Sequence, residues 1–199
     1  SAAMVRYYDS LIMLEMWLKY YSRYFNELFV FACRVKQEIP LEMKTKYKME
    51  IIVVNDDIYS LGTHDAVFKK QQQLLSMGYD WILYSDLDEF VVTTPKYADL
   101  GDFMARAEKK QTFCVGYEVF QALGENQLDY SLPILPQRKF WVRDPSGSYN
   151  KPALSAIPSS WVVGFHKLSS MADEEIKLVK NTGLYMLHTK WIDPSIRDH

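Results

Sequence analysis

Asp80-Trp81-Ile82-Leu83-Tyr84-Ser85-Asp86-Leu87-Asp88-Glu89-Phe90-Val91-Val92 is the stretch on which the reading of this chain turns. Trp81 to Tyr84 is an aromatic and β-branched run, the composition of a covered strand. The run stops at three carboxylates among four residues, and apolar character then resumes. In extended geometry Asp86 and Asp88 would share a face, with Cα atoms about 6.5–7 Å apart, while Leu87 and Glu89 point the other way. Two like charges at the end of a buried strand repel, so the pair needs a cation or a tight set of donors. Mg²⁺ or Mn²⁺, which take oxygen ligands, would neutralise both. The alternative is an acidic loop after a strand. Position favours a site, because open α/β sheets bind ligands outside the carboxyl ends of their strands.

Outward from this stretch the chain reads as alternating strands and helices. Met4–Tyr8 is a short first strand, and Ser10 caps a helix to about Tyr24, with Leu11, Leu14, Leu18 and Tyr21 at helical spacing. Leu28–Cys33 is a continuous apolar run, the signature of a strand covered on both faces. A charged loop or exposed short helix over 37–48 leads to a strand at Glu50–Val54. A helix over 65–77 follows the turn Leu61-Gly62-Thr63 and is closed by Gly78. Its spacing turns Lys70 and Gln71 towards the sheet, where they either reach an anionic ligand or snorkel to the edge. Beyond the acidic stretch, a helix in the second half of 95–110 precedes a strand at 112–120. Residues 121–160 lose apolar periodicity and read as an irregular substrate-side segment. Strands are expected again at Trp161–Leu168, Ile176–Val179 and Leu184–His188. The pattern predicts an α/β fold, a single Rossmann-like domain with a central, mostly parallel mixed sheet flanked by helices.

Composition narrows the function classes. At 199 residues, 48% hydrophobic and 24% charged, the chain is an ordinary globular domain. A net charge of −2, with both signs dispersed, gives no electrostatic footprint for nucleic acid. Aromatic residues at 15% suit a groove that packs against flat ligands. Cys33 and Cys114 lie too far apart in sequence for a thiolate zinc motif and read as buried free thiols. No stretch reaches the roughly 18 apolar residues of a membrane-spanning helix. Residues 1–3 read as a leftover ahead of a native start at Met4, which with no signal peptide implies a cytoplasmic protein. The end at Arg197-Asp198-His199 carries no stop signal, which leaves room for a longer parent protein. There is no Gly-rich phosphate loop and no G-x-S-x-G elbow, against nucleotide-loop, dinucleotide and serine-hydrolase readings. Anions would then meet a metal, helix N-termini, or Lys70, Lys167 and Lys190. His188, at the end of an apolar strand, and His166 are the histidines placed to join the acidic pair in a metal site.

The D-x-D after a buried strand, with Gly78-Tyr79-Asp80-Trp81 and Lys69-Lys70-Gln71 before it, resembles the GT-A glycosyltransferases. The closer resemblance is to their family-2-like and family-92-like branches, whose first helix is similar to Glu15-Met16-Trp17-Leu18. Lys151-Pro152, Gly164-Phe165-His166 and Leu187-His188 also resemble their downstream blocks. The first strand, Met4-Val5-Arg6-Tyr7-Tyr8-Asp9, departs from the pattern and leaves the base pocket unassigned. The resemblance implies a GT-A catalytic domain over 4–199, with a nucleotide-sugar half to about residue 92 and an acceptor half from 93. It implies a nucleotide-sugar donor, UDP-linked, bridged by Mn²⁺ or Mg²⁺ to Asp88 first, with Asp86 sharing the ion or near the ribose. His188 is the preferred third ligand and His166 the next. Lys70, Gln71 and Lys190 would contact the donor, and a glycan or other hydroxyl would be the acceptor. An inverting reaction would need a carboxylate base, for which Glu118, Glu125 and Asp129 are candidates. The alternatives are a sugar-phosphate nucleotidyltransferase and a non-catalytic carbohydrate-binding domain of the same fold.

Overall fold

The fold is taken from a computed structural model, which describes residues 1–143, 147, 149–172, 175 and 182–193. Its first half is a parallel unit: β1 (Ala2–Tyr7), α1 (Leu11–Tyr21), β2 (Glu27–Cys33), α2 (Leu41–Tyr47), β3 (Glu50–Val54), α3 (Leu61–Ser76) and β4 (Ile82–Ser85). The strands lie in the order β3-β2-β1-β4, every pairing parallel. Both faces of β1, β2 and β4 are covered, which is why these strands read as unbroken apolar runs, while the edge strand β3 leaves Val53 exposed. Alternation sorts β1: Ala3, Val5 and Tyr7 pack under α1 with Leu14, Trp17, Leu18 and Tyr21. Ala2 and Met4 pack on the other face with Val67 and Leu74 of α3. Each large apolar side chain buried this way contributes about 1.5–3 kcal/mol.

The second half adds β5 (Glu89–Thr93), α4 (Leu100–Arg106), β6 (Gln111–Phe120), a 3-10 turn (Leu135–Gln137), β7 (Trp141–Arg143), β8 (Lys151–Ser155) and β9 (Leu184–Trp191). The sheet continues β4-β8-β6-β9-β5, with β7 on β6. Here β8 is antiparallel to both neighbours, and β9 is parallel to β6 but antiparallel to β5. The result is an α/β fold with one mixed sheet flanked by helices.

Four sequence expectations change. Ala2 and Ala3, expected outside the domain, are fully buried in β1, and the strand begins at Ala2. The third helix starts at Leu61 because the Ser60 hydroxyl accepts the Thr63 amide at 3.0 Å, a cap the turn-like Gly62 concealed. Segment 161–168 is a tight loop closed by one bridge, Trp161 to Leu168, rather than a strand. Its Phe165, at φ 63°, plugs the core against the Tyr84 ring at 4.0 Å. Segment 121–160, read as irregular, contains the central strand β8. Pro152 argues against a central strand, and five residues are too few to show a period. The strand expected at 176–179 lies outside the described residues.

Strand β5 ends the sheet, and an open edge is a hazard for aberrant pairing. Helix α1 closes it with tyrosines: Tyr21 Oη accepts the Val91 amide at 2.9 Å and donates to the Glu89 carbonyl at 3.1 Å, while Tyr20 Oη donates to the Val91 carbonyl at 2.7 Å. Tyr21→Phe strands two buried backbone groups, and a loss of about 1–3 kcal/mol is expected in urea unfolding at pH 7. An unchanged unfolding midpoint would contradict this role.

Candidate functional site

Strands β2 and β3 continue from β1 on one side, while β4 lies on its other side. The β1–β4 boundary is therefore where the connectivity reverses, and a crevice opens beyond the carboxyl ends there. A cleft of about 470 Å³ occupies this point, lined by Arg6, Asp9, Asp86, Asp88, His166, His188 and Lys190 among others.

Asp86-Leu87-Asp88 is a turn between β4 and β5, closed by the Glu89 amide on the Asp86 carbonyl at 3.1 Å. The two aspartates consequently do not share an extended face. Asp86 Oδ1 accepts Arg6 Nη2 at 2.7 Å and the Tyr84 hydroxyl at 2.9 Å. Asp86 Oδ2 accepts Lys151 Nζ at 2.8 Å, and the same ammonium reaches Glu89 Oε2 at 2.5 Å. Glu89 also accepts the Asp86 amide at 2.8 Å, so it faces the same buried network as Asp86 instead of pointing away from it. Burial alone would raise the Asp86 pKa, but the Lys151 and Arg6 charges outweigh it and hold the carboxyl well below its ordinary range. Burial likewise opposes the charge on Lys151, and Asp86 and Glu89 overcome it, raising the ammonium. The cation that the acidic pair demanded is supplied by the chain itself. Neither Arg6 nor Lys151 was expected as a site residue: Arg6 departs from the expected first-strand pattern, and Lys151 stood out only as part of the Lys151-Pro152 block, after a stretch without periodicity.

Asp88 is set differently. Its carbonyl accepts both the Thr189 amide at 2.7 Å and the Thr189 hydroxyl at 2.9 Å, which clamps the turn to β9. His188, one residue earlier, thereby comes beside it: His188 Nε2 is 3.2 Å from Asp88 Oδ2, and Nδ1 is 2.9 Å from Glu118 Oε2. Tyr149 stacks on the imidazole with ring centroids 4.4 Å apart. Gly116 makes room for this, since a Cβ there would collide with the Tyr149 backbone. Glu118 Oε1 is buried with no hydrogen-bond partner among the described residues. His166 also lines the cleft, and burial, then the Lys151 charge, lower its pKa. Lys190 is exposed at the rim.

These positions fit a divalent cation in part. Asp88 Oδ2 and His188 Nε2 converge, and Glu118 holds the other ring nitrogen, as a carboxylate commonly does behind a metal-bound imidazole. Asp86 does not fit as a ligand, because both its oxygens are taken by cations. No group of three or more metal-ligating side chains is present among the described residues, so an ion here would draw further ligands from phosphate oxygens and water.

The remaining expected residues lie elsewhere. Lys70 packs over the Phe29 ring and pairs with Glu50, the first residue of β3, at the opposite end of the strands from the cleft. Gln71 is buried, and its side-chain oxygen accepts the Ser159 amide at 2.9 Å. Asp129 caps Ser131, and Glu125 accepts the Ala122 and Lys139 amides; neither lines the cleft. Glu118 is committed to His188, which removes it as a free base.

No protein-family model matches this chain, and no curated protein matches it. Among solved structures 13 chains match, one of them the apo-form glycosyltransferase GlyE of Streptococcus pneumoniae TIGR4. It is 14% identical with a TM-score of 0.29, over 61% of this chain and 29% of that one. The chain thus spans less than a third of that protein, and at this TM-score the likeness bears on neither fold nor activity.

Two outcomes test the site. Lys151→Met leaves Glu89 buried without its ammonium and Asp86 with Arg6 alone, and a loss of about 3–5 kcal/mol is expected in denaturant unfolding. Burial disfavours the His188 imidazolium, but hydrogen bonds to Asp88 and Glu118 outweigh it and raise the pKa to about 10. The folded value lies above the ordinary value of about 6.5. The resulting stabilisation is therefore complete below about pH 6.5 and is lost as pH rises through the folded value. An NMR titration of the His188 ring in metal-free protein should show no transition near pH 6.5, and Glu118→Gln should bring one back towards it.

Proposed function

We propose that this chain is a glycosyltransferase whose donor, a nucleoside-diphosphate sugar and by preference UDP-linked, lies in the cleft beyond β1 and β4. One observation carries the reading: Asp88, His188 and Glu118 meet at the reversal point of the sheet, beside Arg6 and Lys190. Asp88 and His188 would hold Mn²⁺ or Mg²⁺. Such an ion, when bound, neutralises charge that develops on a departing diphosphate without transferring a proton. With an ion in place of the Nε2 proton, Glu118 would keep the remaining proton on His188 Nδ1 and hold Nε2 towards the cleft. Thr189 keeps Asp88 in register with it. Asp86, clamped by Arg6 and Lys151, holds the turn rigid and takes no part as a ligand. Lys190, exposed at the rim, is placed to meet phosphate oxygens. A hydroxyl of a glycan or another acceptor is the second substrate.

A second reading has its own support. Asp86 is neutralised without any ion, so the cleft is assembled with its acidic turn already balanced. That favours a domain which binds nucleotide sugars without metal and need not turn them over.

A UDP-release assay over a panel of UDP-sugars separates the two. Transfer predicts release that rises with Mn²⁺, stops with EDTA, and falls on the order of 100-fold or more in Asp88→Asn. Glu118→Gln should lower it roughly 10–100-fold. Release untouched by Asp88→Asn would sink the transfer reading, and donor binding with neither metal dependence nor turnover would establish the second.

A further inference from the structure

A separate cavity of about 500 Å³ lies further along α1, towards its C-terminal end, and among the described residues it shares no lining residue with the cleft. Met13 faces the cleft, whereas Met16 and Tyr20, about one and two turns further along the helix, form part of the cavity. Its floor is apolar, made by Met16 and Tyr20 with Phe90, Ile134 and Leu135. The outer wall is the 129–137 segment, stapled to itself: Gln137 accepts the Asp129 amide at 2.8 Å and donates to the Asp129 and Pro133 carbonyls at 2.9 and 3.0 Å. Lys19 ties this wall to α1 through the Tyr130 carbonyl at 3.0 Å. Pro133 and Pro136 stiffen it and remove two backbone donors. The cavity is thus preformed, and its size falls within the roughly 300–1,000 Å³ of small-molecule sites.

The rim is one-signed. Lys19, Arg23 and Lys46 line the cavity, and among the described residues no Asp or Glu does. Glu15, outside it, takes Lys46 at 2.8 Å and lies 3.9 Å from Lys19. Arg23 is exposed and has no hydrogen bond or ion pair among the described residues. An apolar floor under a guanidinium-bearing rim matches one ligand chemistry, a hydrocarbon body ending in an anionic head. We propose that this cavity is a second binding site, for a single-chain anionic amphipath whose chain lies over Phe90 and Tyr20 and whose phosphate or carboxylate meets Arg23 and Lys19.

Calorimetric titration with decyl phosphate and decanoate, each below its micelle-forming concentration and without nucleotide, tests this independently of the transfer reading. At least one anion should bind saturably, and which one binds tighter identifies the head group. Decyl glucoside, with the same chain and a neutral head, should bind at least about tenfold more weakly, as should the better anion to Arg23→Glu. Ser22→Trp, at the exposed C-cap of α1 on the cavity mouth, should block binding without lowering the unfolding midpoint. Failure of both anions to bind, equal affinity for decyl glucoside, or affinity unchanged in both variants would overturn the site.

Discussion

The second half of this molecule depends on a buried contact between four charges. Arg6 at the end of β1, Asp86 after β4, Glu89 at the start of β5 and Lys151 on β8 come from four strands and meet at one point. Taking charges out of water carries a penalty of several kcal/mol per ion, recovered only when geometry and hydrogen bonds are nearly complete. The Lys151 side chain is fully buried and has carboxylates at 2.8 and 2.5 Å, which meets that condition. An antiparallel strand between β4 and β6 that failed to deliver an ammonium here would leave Asp86 and Glu89 facing each other. The network therefore ties the placement of β8 to that of the acidic turn.

This contact separates two aspartates that look equivalent in the D-x-D motif. Asp86 is consumed in holding the turn, whereas Asp88 is left at the cleft surface. There it meets an imidazole that is oriented from behind by Glu118 and from the side by Tyr149. Orientation of this kind lets a small number of ligating atoms suffice, because their geometry is set before any ligand arrives. The same helix that supports the turn, α1, contributes Trp17 to Ser85 at 2.8 Å and its tyrosine hydroxyls to β5. One face of α1 thus serves the cleft, and a neighbouring stripe floors the second cavity. Met13, Met16 and Phe90 belong to one small core cluster that lies between the two.

Much of the first half was legible because its signals are local. Ser10 and the spacing of Leu14, Leu18 and Tyr21 mark α1, and the apolar runs of β2, β3 and β4 lie within a residue or two of their expected places. Asp88 and His188 were legible as candidates for the same reason, each being a polar residue that interrupts or ends an apolar strand. Of the two readings of Lys70, the structure shows the one that snorkels to the edge. The donor contact fails because helical spacing tells which face a side chain occupies but not which end of the sheet that face has reached. Its stem crosses Phe29 and its ammonium emerges beside Glu50.

What the sequence by itself determined is therefore the alternation of strands and helices, the burial of the apolar runs in the parallel strands and the presence of a carboxylate cluster at a strand end. These follow from helical spacing, unbroken apolar runs and local residue type, all of which a short window contains. Only the tertiary structure decided which cation answers that cluster. Lys151 lies 65 residues beyond Asp86, and Arg6 lies 80 residues before it. Their pairing is set by the order in which β8 and β1 flank β4, and no local period in the chain encodes that order.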